Sequence, residues 1–430
     1  MSVVQKSEAE KSLISLHMVG VLCGLAAGAW LGTAEAPVKM VASGVPPFIV
    51  TLGMVLGVFI ARWSIPMMLK GSGFVLGDLR RNAHLIVWGL LAGMLWVIAN
   101  TLTVYAIKNV GLSIAFPLWN MNCLVGLFWG WLFFNELRGA GWKGWSQVFG
   151  GSLLLVVGAA VLAWATADRS AASGNVWLGI VAALGAGLLW GTQYISYRKA
   201  YISGINPLSF VTVIAFSELI STLILGTLFA GGIPQLGHQL MAARPYMFWL
   251  FCGGICWVFG DLFQQYAAKY IGIGRGIPLS NTNQLWGLAW GALVFGELGA
   301  ITPHARLLVL IGSLIMIVGA AFIGSASAPA SEVSSWNKAM NREINRYHLD
   351  RSRVEVVLKG EDQLASQKPE RHGWEYVLPV VGLALLLWLG ASVRMPAIAL
   401  NTPWMLVLFA ASLGLLLVSG FMLWKRTRFS

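Results

Sequence analysis

Long apolar runs, separated by short stretches that carry most of the charge, set the pattern of this chain. They fall near 14–34, 46–68, 84–106, 110–135, 147–166, 175–196, 207–230, 246–268, 273–296, 305–325, 375–393 and 403–424. Each is close to the ~20 residues an α-helix needs to cross a hydrocarbon core ~30 Å thick. The pattern therefore predicts an all-α polytopic membrane protein of about twelve spans, with tight connections at 106–110 and 268–273 that depend on Gly and Asn. Composition strengthens this picture: 57% of residues are hydrophobic and 11% charged, with a mean hydropathy of +0.72, whereas soluble proteins carry about 25% charged residues. A soluble enzyme is excluded, and little chain is left for a large soluble domain. The 21 Trp and 50 Gly suit membrane lipid as the surrounding partner, because Trp anchors helices at the interface and Gly permits close helix contact.

The net charge of +12 acquires meaning once it is counted loop by loop. With a cytoplasmic start, 23 of the 29 Lys and Arg fall on inner segments, Arg62, Arg198, Lys199, Lys269 and Arg275 among them, and 6 on outer ones. This bias orients the chain with both termini cytoplasmic. The cations are scattered over many loops, so the basic balance calls for no nucleic-acid partner. Ala34-Glu35-Ala36 mimics a signal-peptide cleavage site, but the preceding run is long for a signal and has a counterpart at the sixth span. Cys23, Cys123, Cys252 and Cys256 all lie in apolar runs and read as small packing residues, not as disulfides or metal ligands.

An internal repeat is the most informative feature. Residues 96–137 align without a gap on residues 257–298, with about 19 of 42 positions identical at an offset of 161. The matched pairs include Lys108/Lys269, Pro117/Pro278, Asn120/Asn281, Asn122/Asn283, Trp129/Trp290 and Glu136/Glu297. Upstream, Gly32-Thr33 pairs with Gly191-Thr192, and Gly20, Leu25 and Gly28 with Gly179, Leu184 and Gly187, at offset 159. Two five-helix units, 1–165 and 166–326, follow, then a charged linker 327–373 and a two-helix membrane hairpin 374–430. An odd number of spans per unit inverts the second copy, and inverted repeats are characteristic of secondary transporters that open a midplane site alternately to each side.

The run of Lys-x-hydrophobic-Gly, hydrophobic-Pro-Leu-Ser/Trp-Asn, Gly-Leu-x-Trp-Gly and closing Phe-x-Glu-Leu resembles the drug/metabolite transporter superfamily. Within it the halves are similar to the glucose/ribose porter branch and the related plant ureide permeases. The resemblance covers 14–325 and implies a carrier of small solutes. This sequence departs by placing Asp261 opposite Asn100 of the first half, and by adding the linker and hairpin, which bear on regulation or on a homo-oligomer.

Polar side chains in mid-membrane are expensive, about 2.5–3.5 kcal/mol on insertion scales, and invite a functional reading. Asn100 lies in the third run; in the eighth, Asp261 shares a helix face with Gln264 and Gln265. The fourth and ninth runs hold Pro117 with Asn120 and Asn122, and Pro278 with Asn281, Asn283 and Gln284. A proline there frees a carbonyl and kinks the helix, so backbone groups and amides meet at one depth. Amides both donate and accept, which suits a neutral hydroxyl-rich solute; a paired structural kink is the alternative. Among the tryptophans, Trp190 beside Thr192 and Gln193 is the preferred stacking surface. Asp261 is also the candidate coupling group, since burial disfavours the charged form of a carboxyl and lets it carry a proton; its rival role is a fixed anion paired with sodium or with Arg198 or Lys199. Glu136 and Glu297 suggest capping, and Glu218 and Glu35 receive no role. Trp336, Met340, Ile344 and Tyr347 in the linker recur at helical spacing, so an amphipathic helix or a flexible connector is expected there.

HExxH, GxSxG and GxxxxGK[ST] are absent, so nothing points to an enzyme, a cofactor, a metal or an ATP site. The expectation is a gradient-driven or facilitated carrier of a small neutral polar solute, sugar first, in the cell membrane. The alternatives are a ureide, nucleobase or amine carrier, and a non-transporting scaffold.

Overall fold

The computed structural model describes the chain except residues 1–14, 40, 42–44, 111–114, 116–117, 166–174, 297–301, 363, 365–370 and 395–399. The described residues form helices and no strand. Their order is α1 (Leu16–Lys39), α2 (Pro47–Lys70), α3 (Ser72–Arg81), α4 (Ile86–Val110), α5 (Asn122–Phe134), α6 (Gly141–Ala165), α7 (Val176–Ile202), α8 (Pro207–Ala230), α9 (Ile233–Ile271), α10 (Ile273–Ser280), α11 (Asn283–Ala289), α12 (Pro303–Ser325), α13 (Ala330–Tyr347), α14 (Arg351–Leu358), α15 (Val377–Gly390) and α16 (Thr402–Thr427). Ten described helical stretches are long and apolar enough to span a membrane.

The fourth and ninth apolar runs, expected as continuous helices, are not. The ninth breaks at Asn281–Thr282 into α10 and α11. In the fourth, Asn120 and Met121 form a turn ahead of α5. Each turn is closed by i→i+3 bonds, Leu124 N–H to Met121 O at 2.9 Å and Leu285 N–H to Thr282 O at 3.0 Å. The break follows from local chemistry, because Pro278 removes a backbone donor and the Asn residues compete for the freed groups. Pro117 lies outside the described residues. The eighth run is longer than expected: α9 passes through Pro245 and reaches back to Ile233, starting with Pro234 in its first turn, where a missing N–H is harmless.

Helix packing has a regular plan. α1 lies on α9 and α4 on α7; α2 lies on α9 and α4 on α8; α1 meets α10–α11 and α7 meets α5; α2 meets α8, and α6 meets α12. Every one of these pairs is kept when the first five spans are exchanged with the second five. Glycines make the closest approaches possible. A Cβ on Gly28 or Gly32 of α1 would stand 2.1 Å from Thr282 Oγ1 or 2.5 Å from Asn283 O, and one on Gly187 or Gly191 of α7 would stand 3.0 Å from Trp119 O or 2.8 Å from Asn122 O. Both breaks are thus pressed against a glycine face, where backbones can approach closely in lipid. The recurring Gly-Thr and Trp-Gly signatures meet across the two halves: Trp290 Nε1 donates to Thr33 Oγ1, and Trp129 Nε1 to Thr192 Oγ1, each at 3.2 Å.

Two helices, α13 and α14, occupy much of the described part of the linker. α13 and α14 lie across the end of the bundle where α2, α5, α7 and α9 finish. Glu332 receives a two-pronged Arg275 at 2.7 Å on each oxygen and the Leu137 N–H at 2.9 Å. Lys199 reaches Glu343 at 2.6 Å, Arg342 the Phe133 carbonyl at 2.6 Å, and Arg353 pairs with Asp78 at 3.4 Å. The last residues close the same end: the Phe429 carbonyl accepts from Asn206 Nδ2 at 2.7 Å and Tyr266 at 3.2 Å, and Ser430 O accepts from Tyr270 at 2.7 Å. α7 ends here while α1 starts here, with His17 at 2.9 Å from the Gly324 carbonyl, so the two helices run in opposite senses.

Candidate functional site

Asp261, on α9, faces the interior with 1% of its surface exposed. Its Oδ2 accepts from Arg62 at 2.6 Å and from Gln265 Nε2 at 2.5 Å, and its Oδ1 from the Tyr197 hydroxyl at 3.2 Å. Arg62, on α2, extends its other amino group to Glu218 of α8 at 2.7 Å and lies over the Trp257 ring at 5.0 Å. Arg62 is eight residues from the end of α2, or ~12 Å inside it at about 1.5 Å per residue. Its place in the inner-segment count is therefore corrected: it is a buried partner of two carboxylates, and its hydrocarbon depth requires that pairing. The expected cations for Asp261 are corrected too. Arg198 pairs with Glu136 at 2.9 Å and donates to the Ala268 and Lys269 carbonyls, and Lys199 is held by Glu343.

Gln193, on α7, joins this cluster through its Nε2, which donates to the Tyr197 hydroxyl at 2.7 Å. Gln265 bridges Asp261 to the Tyr201 hydroxyl. Gln264, one residue earlier, turns to α10 and donates to Ser280 Oγ at 2.6 Å. Beside these, Trp190 and Trp257 pack edge-on against Trp96, with ring centroids 5.8 and 5.3 Å away. Trp190 is thus part of an aromatic wall next to the ion cluster.

The two helix breaks meet. Asn281 Nδ2 donates to Asn122 Oδ1 at 3.0 Å, both side chains buried, and Asn120 is buried beside Cys123, whose thiol donates to the Asn120 carbonyl at 3.3 Å. Asn283 and Gln284 start α11. Asn100 does not join them; it donates to Thr51 Oγ1 of α2 at 2.8 Å. Glu136 caps the break's other flank, accepting the Ile273 and Gly274 amides at 3.1 and 2.8 Å, as a carboxylate at a helix start should. Glu297 lies outside the described residues.

Four buried acceptor oxygens around these clusters have no hydrogen-bond partner: Gln193 Oε1, Asn283 Oδ1, Gln284 Oε1 and Glu218 Oε1. Buried polar groups are ordinarily paired, and an unpaired one costs about 1–3 kcal/mol. A cavity of about 170 Å³ lies elsewhere, between α2, α9 and α15, walled by Leu56, Met247, Phe251, Leu385 and Trp388 with Arg244 at its rim; its lining is apolar and includes none of the amides. Arg62, Glu218 and Tyr197 were not singled out as site residues from sequence, and Gln265 was named only for sharing a helix face with Asp261. A legible signal existed for Arg62 and Glu218, each an ionisable residue inside an apolar run.

Residues 177–325 match the EamA-like transporter family, within the drug/metabolite transporter superfamily. A curated relative from Lactobacillus johnsonii, named "Putative sugar uptake protein", is 27% identical over 139 residues, which is 31% of this chain and 47% of that protein. The match spans about half the length of that relative. A solved crystal structure shares the fold, with a TM-score of 0.52 at 17% identity over 72% of this chain and 99% of that one. This chain is a multi-pass membrane protein, with ten described stretches long and apolar enough to cross a membrane, and its match to the transporter family covers residues 177–325.

Proposed function

We propose that this EamA-like chain is a secondary transporter of two inverted five-helix repeats, carrying a small neutral polar solute, a sugar first, by alternating access and coupled to protons at the Asp261 cluster. The observation that carries this reading is the set of unpaired buried acceptors on Gln193, Asn283 and Gln284. A solute bearing many hydroxyl donors satisfies them, whereas an amine would seek carboxylates, and both carboxylates here are engaged by Arg62. The paired packing plan, two breaks pressed on glycine faces, and the name of the Lactobacillus relative support it.

A specific observation also favours a non-transporting scaffold: Asn122 and Asn281 satisfy each other directly. The two readings divide on whether that bond opens. Labelled sugars offered to proteoliposomes, with ureides and amines as competitors, test them together. Saturable sugar uptake that Asn281→Ala abolishes supports the carrier. Competition by ureides or amines but not sugars moves the substrate class, and no uptake of any of them favours the scaffold.

A further inference from the structure

The buried ion cluster holds one cation against two carboxylates. Arg62, Glu218 and Asp261 have 0%, 0% and 1% of their side chains exposed. Glu218 is surrounded by the helices packed on α8: α2 presents Arg62, α9 presents Asp261, with Tyr197 of α7 behind it, and α4 presents the backbone of Gly93. α3 meets α8 through Asp78, which accepts the Asn206 N–H at the first turn, three turns from Glu218. No second cation reaches the cluster from these groups. A fully ionised cluster would therefore keep one uncompensated negative charge in mid-membrane, which desolvation makes very costly.

The excess charge can be assigned by counting donors. Asp261 receives three, from Arg62, Gln265 and Tyr197, and hydrogen bonds to the charged form keep a carboxylate ionised. Glu218 receives one, on Oε2 from Arg62, and its Oε1 is buried without a partner. Thr222 Oγ1, one turn on along α8 and so on the same face, is likewise buried and unpaired. A proton on Glu218 Oε1 turns an unmatched acceptor into a donor and brings the cluster to zero net charge.

We propose that Glu218 is the proton-binding carboxyl of this carrier and that Asp261 is the fixed anion that holds Arg62. The assignment deepens the proton-coupled transport reading and rests on it for its role, though not for its chemistry. One proton binds Glu218 Oε1 from solvent on one side and leaves to solvent on the other; no other bond forms or breaks, and the cluster alternates between zero and one negative charge. The neutral cluster crosses the reorientation step and the charged one does not.

Infrared titration of the full chain in lipid tests the site without any substrate. The C=O band of a protonated carboxyl should titrate with pH in the wild type, vanish in Glu218→Gln, and persist in Glu136→Gln. In proteoliposomes, accumulation driven by an acid exterior should fall at least tenfold in Glu218→Gln, and whatever exchange remains should be flat with pH. A band that survives Glu218→Gln with its pH profile intact overturns the assignment, as does accumulation that follows sodium and ignores pH. If the band behaves as expected while the wild type moves no solute, the proton site stands and the transport reading falls.

Discussion

Replacing Glu332 by Gln should loosen the helix that straps one end of the bundle. Glu332 is fully buried, receives Arg275 on both oxygens at 2.7 Å and the Leu137 amide at 2.9 Å, and links α13 to both halves of the chain. Gln leaves Arg275 charged and buried with one neutral acceptor in place of a carboxylate, besides the Ala326 carbonyl at 2.8 Å. Removing one partner of a buried ion pair costs about 3–5 kcal/mol. Because each 1.4 kcal/mol is tenfold, local opening of α13 should rise between about a hundredfold and a few thousandfold. The control is Arg351–Glu355, 62% and 37% exposed at i,i+4, a pair that water screens, so Glu355→Gln should change opening less than about threefold. Amide hydrogen exchange of peptides covering 330–347 and 351–358, followed by mass spectrometry in lipid or detergent, reads both. If Glu332→Gln and Glu355→Gln accelerate exchange by the same small factor, the buried pair does not hold the strap and the reasoning is wrong.

Gly28→Val should abolish the folded protein in the membrane, since even a Cβ would stand 2.1 Å from Thr282 Oγ1, while Gly73→Val, which meets open space, should leave yield and thermal stability unchanged; size-exclusion profiles after heating compare them. Glu136→Gln removes the anion that faces Arg198 and the first amides of α10, and its loss of about 3–5 kcal/mol should show as a lower midpoint in thermal inactivation.

The spans were legible because a bilayer imposes a simple rule, about twenty apolar residues with every backbone group satisfied within the helix. The paired Trp, Thr, Gly and Asn stand out in the sequence, and in the structure they do one job twice: Trp129 and Trp290 donate to Thr192 and Thr33, and the glycines admit the breaks. What stayed hidden was which side chains meet. Asn100 matches Asp261 in the alignment, yet Thr51 takes Asn100 while Arg62 takes Asp261. Arg62 and Glu218 have no charged counterpart in the other half, so comparing repeats could not single them out. The role of the linker was undecided because its helical spacing states a face, and only the fold supplies Arg275, Lys199 and Phe133 as what that face covers.

The contrast between a paired scaffold and an unpaired ion cluster bears on how the proposed cycle would work. Helix pairs that survive exchange of the halves can rock to two equivalent ends. The charges break that equivalence: Arg62 comes from the first half, and Glu218 and Asp261 both come from the second. An N–H···O bond weakens beyond about 3.2 Å, so movement of α2 against α8 and α9 cannot keep both bonds at 2.7 and 2.6 Å unless those three helices move together. If they part, one carboxylate loses Arg62, and a buried carboxylate without its cation either binds a proton or meets water. Glu218, with one donor against the three on Asp261, is the one that lets go. Under alternating access, the release of Glu218 from Arg62 and the exchange of its proton would thus be one event, which would tie the driving ion to the movement of the halves without any charged residue touching a neutral solute.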